Sequence, residues 1–197
     1  TVEAWDRIRL TGDRAAIESF LAAHGTSKLA NAARARLGEL TAAASAERQR
    51  TRDAAWAACQ GAPNAAKIAA CSGVADGDDT AERRATALQI RGNAERLAGS
   101  YDKAIADFTR SLELAPGRAQ ILTDRGVAYF LKGGAAGRQA ALNDYDAAIR
   151  ADPRHAEALN NRAWAIFQTG RTAEALADAN RSIEASAANG YAYDTRG

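Results

Sequence analysis

The chain has no Met, three Pro, two Cys and two His in 197 residues, and aromatic residues make up only 6% of it. Its few metal-ligating side chains are scattered over His24, Cys59, Cys71 and His155, a spacing from which no metal site can be assembled. No run of about 18 apolar residues occurs, so no membrane-inserted helix is expected. Neither sign of charge dominates. The 26 basic and 24 acidic residues interleave to a net +2, which gives no reason to expect a nucleic acid or an anionic membrane surface as partner. The basic residues are nearly all Arg, a compositional bias that accompanies the Ala excess. No convincing strand exists, so there is no Gly-rich phosphate loop after a strand, and nothing calls for a cofactor. No signal peptide is visible. The lack of Met and the start at Thr1 lead us to expect a fragment of a longer protein.

Hydrophobic residues make up 47% of the chain, enough for a sizeable core. Two of the three prolines lie one repeat apart. Ala85–Arg118 ends in Ala-Pro and Ala119–His155 ends in Asp-Pro, and a third copy occupies Ala156–Asn189. A fourth begins at 190 and stops at Gly197, so native sequence is expected to continue. A fixed period of this length is the signature of stacked helical hairpins. Each copy carries two amphipathic helices with apolar residues at three-to-four spacing. Small residues recur where the two helices cross: Gly92 with Ala104, Gly126 with Ala141, Ala163 with Ala175. Bulky ones follow at Phe108 and Tyr145, with Ala179 as the weak member. Pro116 and Pro153 stop the second helix. Ala187 replaces the proline in the third copy, which predicts a less sharp boundary. The second copy has three extra residues within Gly133–Arg138, expected to loop out.

The pattern Leu88, Gly92, Gly99, Tyr101, Ala104, Phe108, Pro116, repeated as Leu122, Gly126, Tyr129, Ala141, Tyr145, Ala148, Pro153 and then Leu159, Ala163, Gly170, Ala175, resembles the tetratricopeptide repeat family. The resemblance implies an all-α, right-handed α-solenoid of antiparallel helix hairpins over residues 85–197. One departure is systematic. Arg stands before the small residue of each first helix, where the family usually has Leu: Arg91, Arg125, Arg162, Arg196. An Asp recurs in each second helix: Asp107, Asp144, Asp178. A half-buried Arg wants a carboxylate, which suggests an Arg–Asp ladder along the array; the alternative is that both project into solvent.

First helices of stacked hairpins line the concave face. The family's groove positions fall here on Gln89, Asn93 and Arg96, then Thr123, Asp124, Val127 and Phe130, then Glu157, Asn160, Asn161, Trp164 and Phe167. Phe130, Trp164 and Phe167 have the chemistry of partner-segment anchors, unless the next copy covers them. Some family members bind the C-terminal carboxylates of chaperones. Asn93 fits such a clamp, but Gln89, Asp124 and Glu157 stand where basic or neutral donors are needed, which argues against that ligand.

The first 84 residues read as helix without the clean repeat. Residues 1–50 form a degenerate hairpin plus a long helix running to about Cys59, with Thr11 or Asp13 capping the helix from Arg14. Residues 51–84 form a Cys-containing junction. Ala4-Trp5, Ile8, the Phe20-Leu21 pair and Ala33–Leu37 are loosely similar to helical segments that follow a caspase-like domain in some bacterial proteins. The stretch Thr51–Val74 resembles a segment preceding tetratricopeptide repeats in exported bacterial proteins. Helix–turn–helix geometry around Gly61-Ala62-Pro63 brings Cys59 and Cys71 within disulfide reach; two buried free thiols are the alternative. A bridge fits an oxidising compartment such as a periplasm, against a cytoplasmic location. Ala57–Gly61 looks like a caspase nucleophile box, but its lead Gln is missing and its surroundings are helical. Arg48–Arg52 is a basic run flanked by Glu47 and Asp53 and reads as a solvated helix face.

The sequence therefore points to a noncatalytic scaffold that binds a protein or peptide in a concave groove. The competing reading is a regulatory or recruiting arm of a larger enzyme such as a caspase-like protease. Self-association through the truncated C-terminal end is also expected.

Overall fold

The computed structural model describes residues 1–186. Among them every regular element is helical: α1 (Val2–Ile8), α2 (Arg14–His24), α3 (Ala30–Gly61), α4 (Asn64–Ala75), α5 (Ala81–Leu97), α6 (Tyr101–Leu114), α7 (Ala119–Lys132), α8 (Gly134–Ala151), α9 (Ala156–Phe167) and α10 (Thr172–Ala185). The expected fourth copy from 190, its Arg196, and Ala187 lie outside the described residues. The chain divides into two compact units, Thr1–Ala54 and Ala55–Gly197.

In the first unit, α1, α2 and the start of α3 close on Trp5, Ile17, Phe20 and Ala33, with Leu37 and Leu40 against them. The Trp5 and Phe20 rings lie 5.5 Å apart. Of the two candidate caps, Asp13 caps α2: its carboxylate accepts the Ala16 N–H at 3.1 Å. Thr11 instead donates its hydroxyl to the Ile8 carbonyl. Beyond Leu40, α3 is largely exposed. Pairs three or four residues apart support it, including Arg50 with Glu47 and Gln49 with Asp53. The basic run is thus engaged along its own helix.

The second unit is an α-solenoid of antiparallel hairpins, α5/α6, α7/α8 and α9/α10. Each first helix is ended by a glycine in the left-handed region: Gly99 at φ 77°, Gly133 at 81°, Gly170 at 81°. A Cβ is disfavoured there, so these three positions punctuate the period more consistently than the prolines do. Within the hairpins, backbone meets aromatic ring. A Cβ added at Gly92 would lie 2.8 Å from the Phe108 ring, and one at Gly126 would lie 2.6 Å from the Tyr145 ring. The third copy has Ala163 and Ala179 at these places, both fully buried. Two small side chains there replace one absent and one large.

Two expectations are corrected. The three-residue insertion does not loop out; it lengthens α8, which starts at Gly134 and runs 18 residues against 14 for α6 and α10. Ala135 and Ala136 favour helix, and Gly137 lets the new first turn approach α7, since a Cβ there would lie 2.6 Å from the Tyr129 carbonyl oxygen. The third boundary is also as sharp as the others. α10 stops at Ala185, and Ser186 is extended at φ −153°, ψ 104°, much as Ala115 and Asp152 are. Helix termination at this place needs no proline.

Ahead of α5, the end of α3 and α4 act as a further hairpin. Cys59 and Cys71 form a disulfide between them, with Cα atoms 4.4 Å apart, and both residues are fully buried. They share a cluster with Val74, Ala75, Ala87 and Leu88, and Trp56 packs against it. The Arg83 guanidinium sits 5.9 Å above the Trp56 ring. The covalent link holds this hairpin, whereas α5/α6 and α7/α8 use a glycine–aromatic contact.

Candidate functional site: the inner face of the first helices

Successive first helices touch, α5 with α7 and α7 with α9, while the described second helices make no comparable contact with one another. The first helices therefore line the inner side of the array. Each carries two functional flanks, and the Arg of the repeat sets one of them. Arg91 donates from Nε and Nη2 to both oxygens of Asp107, at 2.7 Å each. Arg125 does the same to Asp144 at 2.8 and 2.7 Å, and Arg162 to Asp178 at 2.7 and 2.8 Å. The remaining Nη1 reaches the second helix of the preceding hairpin: Asp76 and Ser72 for Arg91, Thr109 for Arg125, Asp146 for Arg162. Each guanidinium thus ties three helices together, and of the two sequence readings the ladder is the one present. The Asp107 carboxylate holds Arg91 protonated well above the ordinary range, and Asp178 does so for Arg162. The hydrogen bond from Arg91 in turn holds the Asp76 carboxyl below its ordinary range.

The ladder fixes the rotation of the first helices, and the opposite flank then meets the neighbouring first helix. Asp124 on α7 accepts from Gln89 at 2.8 Å and Asn93 at 3.2 Å, both on α5, and from Gln120 at 3.2 Å. Gln120 also donates to Glu157 on α9 at 2.9 Å. Arg96 donates to the side-chain amide oxygen Oδ1 of Asn93 at 3.3 Å. A continuous relay of amides and carboxylates therefore runs Arg96–Asn93–Asp124–Gln120–Glu157 across three copies. Sequence reasoning missed Gln120; its spacing of four from Asp124 and its equivalence to Glu157 in the period were the available signals.

The expected groove residues separate. Gln89, Asn93, Arg96, Asp124 and Glu157 meet in the relay, although Asp124 is itself a correction, being 7% exposed and so a buried hub rather than an open groove position. Val127 and Phe130 are partly buried against Ala141, Tyr145 and Ala165, so Phe130 is half a core residue covered by the next hairpin. Thr123 is a correction: it is fully buried, and its hydroxyl donates to the Ala119 carbonyl of its own helix. The equivalent carbonyls in the other copies, Ala85 and Ala156, accept instead from Ser111 and Ser182 on the second helices. Asn160 is a correction too, being 8% exposed; Asn161 beside it is half-buried. Trp164 and Phe167 are open to solvent, with ring centroids 6.0 Å apart and planes 28° apart.

The remaining chemistry-bearing residues are occupied elsewhere. Cys59 is in the disulfide and supplies no thiolate nucleophile. His24 packs on Phe20 at 5.0 Å, and His155 sits 3.8 Å from Asp152. Among the described residues no helix is long and apolar enough to cross a membrane.

A tetratricopeptide repeat family model matches residues 90–137 and 131–190. No curated protein matches the chain. Among solved structures, the first repeat domain of Spaghetti (RPAP3) bound to an HSP90 peptide is 26% identical, covering 60% of this chain and 90% of that one, with a TM-score of 0.54. The second repeat domain of human RPAP3 in complex with an HSP70 peptide is 25% identical, covering 57% and 91%, with a TM-score of 0.51. MamA is 20% identical, covering 68% and 74%, with a TM-score of 0.58, a likeness in fold.

Proposed function

The chain belongs to the tetratricopeptide repeat family, and on that premise we propose that it is a protein-interaction scaffold whose inner face takes up a segment of a partner protein. The observation that carries this reading is the Trp164–Phe167 pair. Two large rings stack in solvent on the last described first helix, at the end of a relay that already fixes the neighbouring polar side chains. A preordered polar wall beside uncovered aromatic surface is the composition of a peptide-binding groove. Two of the solved relatives hold peptides. Gln89, Asn93, Arg96, Glu157 and Asn161 would line the polar side, with the buried Asp124 holding them from beneath, and Trp164 and Phe167 would anchor.

The disulfide also favours export to an oxidising compartment: the chain's two cysteines are joined and buried. Mass analysis after alkylation of protein taken directly from its native compartment checks this, and two alkylated cysteines would place the chain in a reducing one. For the binding reading, affinity capture is compared between the wild type and Trp164→Ala/Phe167→Ala. We expect specific partners to be lost from the variant while its helical circular dichroism stays unchanged. Equal recovery of every captured protein would overturn the assignment of the groove.

A further inference from the structure

The inner face is not uniform along its helices. Its exposed apolar residues gather at the C-terminal ends of the first helices: Leu97 is 63% exposed, Leu131 45%, Trp164 44% and Phe167 46%. Leu97 and Leu131 hold equivalent places in their copies. In α7 and α9 the N-terminal halves carry the polar relay, with Gln120, Asp124 and Glu157 in it; in α5 the relay reaches Asn93 and Arg96 near the C-terminal end. Because α7 and α9 run parallel to one another, their two halves line up as two lanes, one apolar and one polar.

The polar lane has a sign. Many carboxylates of the repeats are paired with guanidinium or ammonium groups: Asp107, Asp144 and Asp178 in the ladder, Asp102 with Lys132, Glu174 with Arg171. Asp124 and Glu157 are not. Among the described residues their hydrogen bonds come from side-chain amides alone. Amides satisfy the lone pairs and leave the charge uncompensated. At the buried Asp124 that charge is screened less by water than on an open surface. Arg96, at the edge of the relay, offsets one of the two. The indole and phenyl faces of Trp164 and Phe167 lie on the same helix as Glu157, and ring faces attract cations as well.

We propose that the occupant of this groove is an amphipathic, Lys/Arg-bearing segment of another protein, its apolar side on the Leu97–Leu131–Trp164–Phe167 lane and its cationic side over the exposed Glu157, with the charge of the buried Asp124 behind it. This rests on the groove reading above and names the chemistry of its ligand. The peptides bound by the two solved relatives end in Glu-Glu-Val-Asp; the same ligand here would set carboxylates against carboxylates.

The test uses a displayed library of random 16-residue peptides, selected on the 197-residue chain and separately on Trp164→Ala/Phe167→Ala. The expected result is a set enriched in Lys and Arg, with apolar residues three to four apart, that the double variant does not enrich. A selected peptide should bind Glu157→Lys about tenfold more weakly than the wild type, and lose affinity as salt rises. A set that depends on the two aromatic residues but is net negative, or whose binding is indifferent to Glu157→Lys, overturns the proposed ligand and leaves the groove standing. A set enriched equally by the wild type and the double variant, or no enrichment at all, overturns the groove and the ligand together.

Discussion

Arg125→Leu is the most informative single change in the array. Arg125 lies on α7, with hairpins on both sides, and its side chain is 20% exposed; that of Asp144 is 9% exposed. Removing the guanidinium deletes two hydrogen bonds to Asp144 and one to Thr109. What dominates is the carboxylate left behind, desolvated and unpaired, a situation that costs about 3–5 kcal/mol. Leucine returns part of this through apolar contact, so the expected loss is about 3 kcal/mol. Arg125→Lys keeps the charge but cannot make the two-pronged contact and should lose roughly half as much. The double variant Arg125→Leu/Asp144→Leu removes both charges at once. It should sit within about 1 kcal/mol of the wild type, because a buried pair and its apolar replacement are often nearly equal in stability. The coupling across this cycle is thus expected to be several times the cost of the double change. Urea unfolding followed by helical circular dichroism gives the energies, and amide exchange in α7 locates the loss, since repeat arrays open locally. Arg125→Leu within about 0.5 kcal/mol of the wild type, or a double variant worse than both singles added, would refute the ladder as a stabilising element.

Three further outcomes follow. Gly126→Ala places a methyl 2.6 Å from the ring of Tyr145, which is almost fully buried. It should destabilise by about 1–3 kcal/mol, and adding Tyr145→Ala should abolish that penalty, since the third copy packs Ala163 and Ala179 in the same places. Burial, with the Asp144 charge second, pushes the Tyr145 phenol well above its ordinary value of 10.0. The folded state then keeps a proton that the unfolded chain gives up above about pH 10, so stability is full below that pH and falls as pH rises further. Phenolate absorbance should show one tyrosine ionising only with alkaline unfolding, and Tyr145→Phe should flatten the decline. Cys71→Ser opens the link between α3 and α4. On loop-closure grounds the loss is about 3 kcal/mol, read as a lower urea midpoint for the second unit; an unchanged midpoint would mean that the buried cluster around Leu88 holds α4 unaided.

The period was legible because it is written in residues with one physical job. Gly99, Gly133 and Gly170 recur because the turn after each first helix needs a positive φ. Gly92 and Gly126 recur because an aromatic ring lies against the backbone. The ladder stood out because its Arg departs from the expected residue and an Asp recurs in register with it. What misled was reading punctuation one residue at a time. Pro116 and Pro153 looked necessary for helix termination, yet α10 ends at the same place without one. The extra residues near Gly133 looked like a loop, yet two alanines and a tolerated close approach made them a helical turn. Thr123 shows the limit of carrying over a groove position. A hydroxyl is as ready to bond its own helix as to face a ligand, and only the packing around it decides which.

The ladder and the relay are consequences of the same placement. An Arg at the sixth place beyond each copy's start turns one flank of the first helix toward its own hairpin and the one before. Residues one to five places to either side, Gln89 and Asn93, Gln120 and Asp124, and Glu157, are then left facing the neighbouring first helix. There the array uses amides rather than cations to hold Asp124 and Glu157. A guanidinium in that flank would satisfy the same lone pairs and cancel the charge. Amides leave the charge in place while fixing the geometry, so the groove is ordered before a ligand arrives and keeps a negative potential to offer it. Gln120→Arg separates these two contributions. It keeps a donor between Asp124 and Glu157 but supplies a cation, so stability should hold or rise slightly while binding of a cationic segment falls about tenfold. Isothermal titration with a selected Lys-rich peptide, alongside urea unfolding, measures both. Binding as tight as that of the wild type would show that order alone, and not the residual charge of these two carboxylates, governs what the groove accepts.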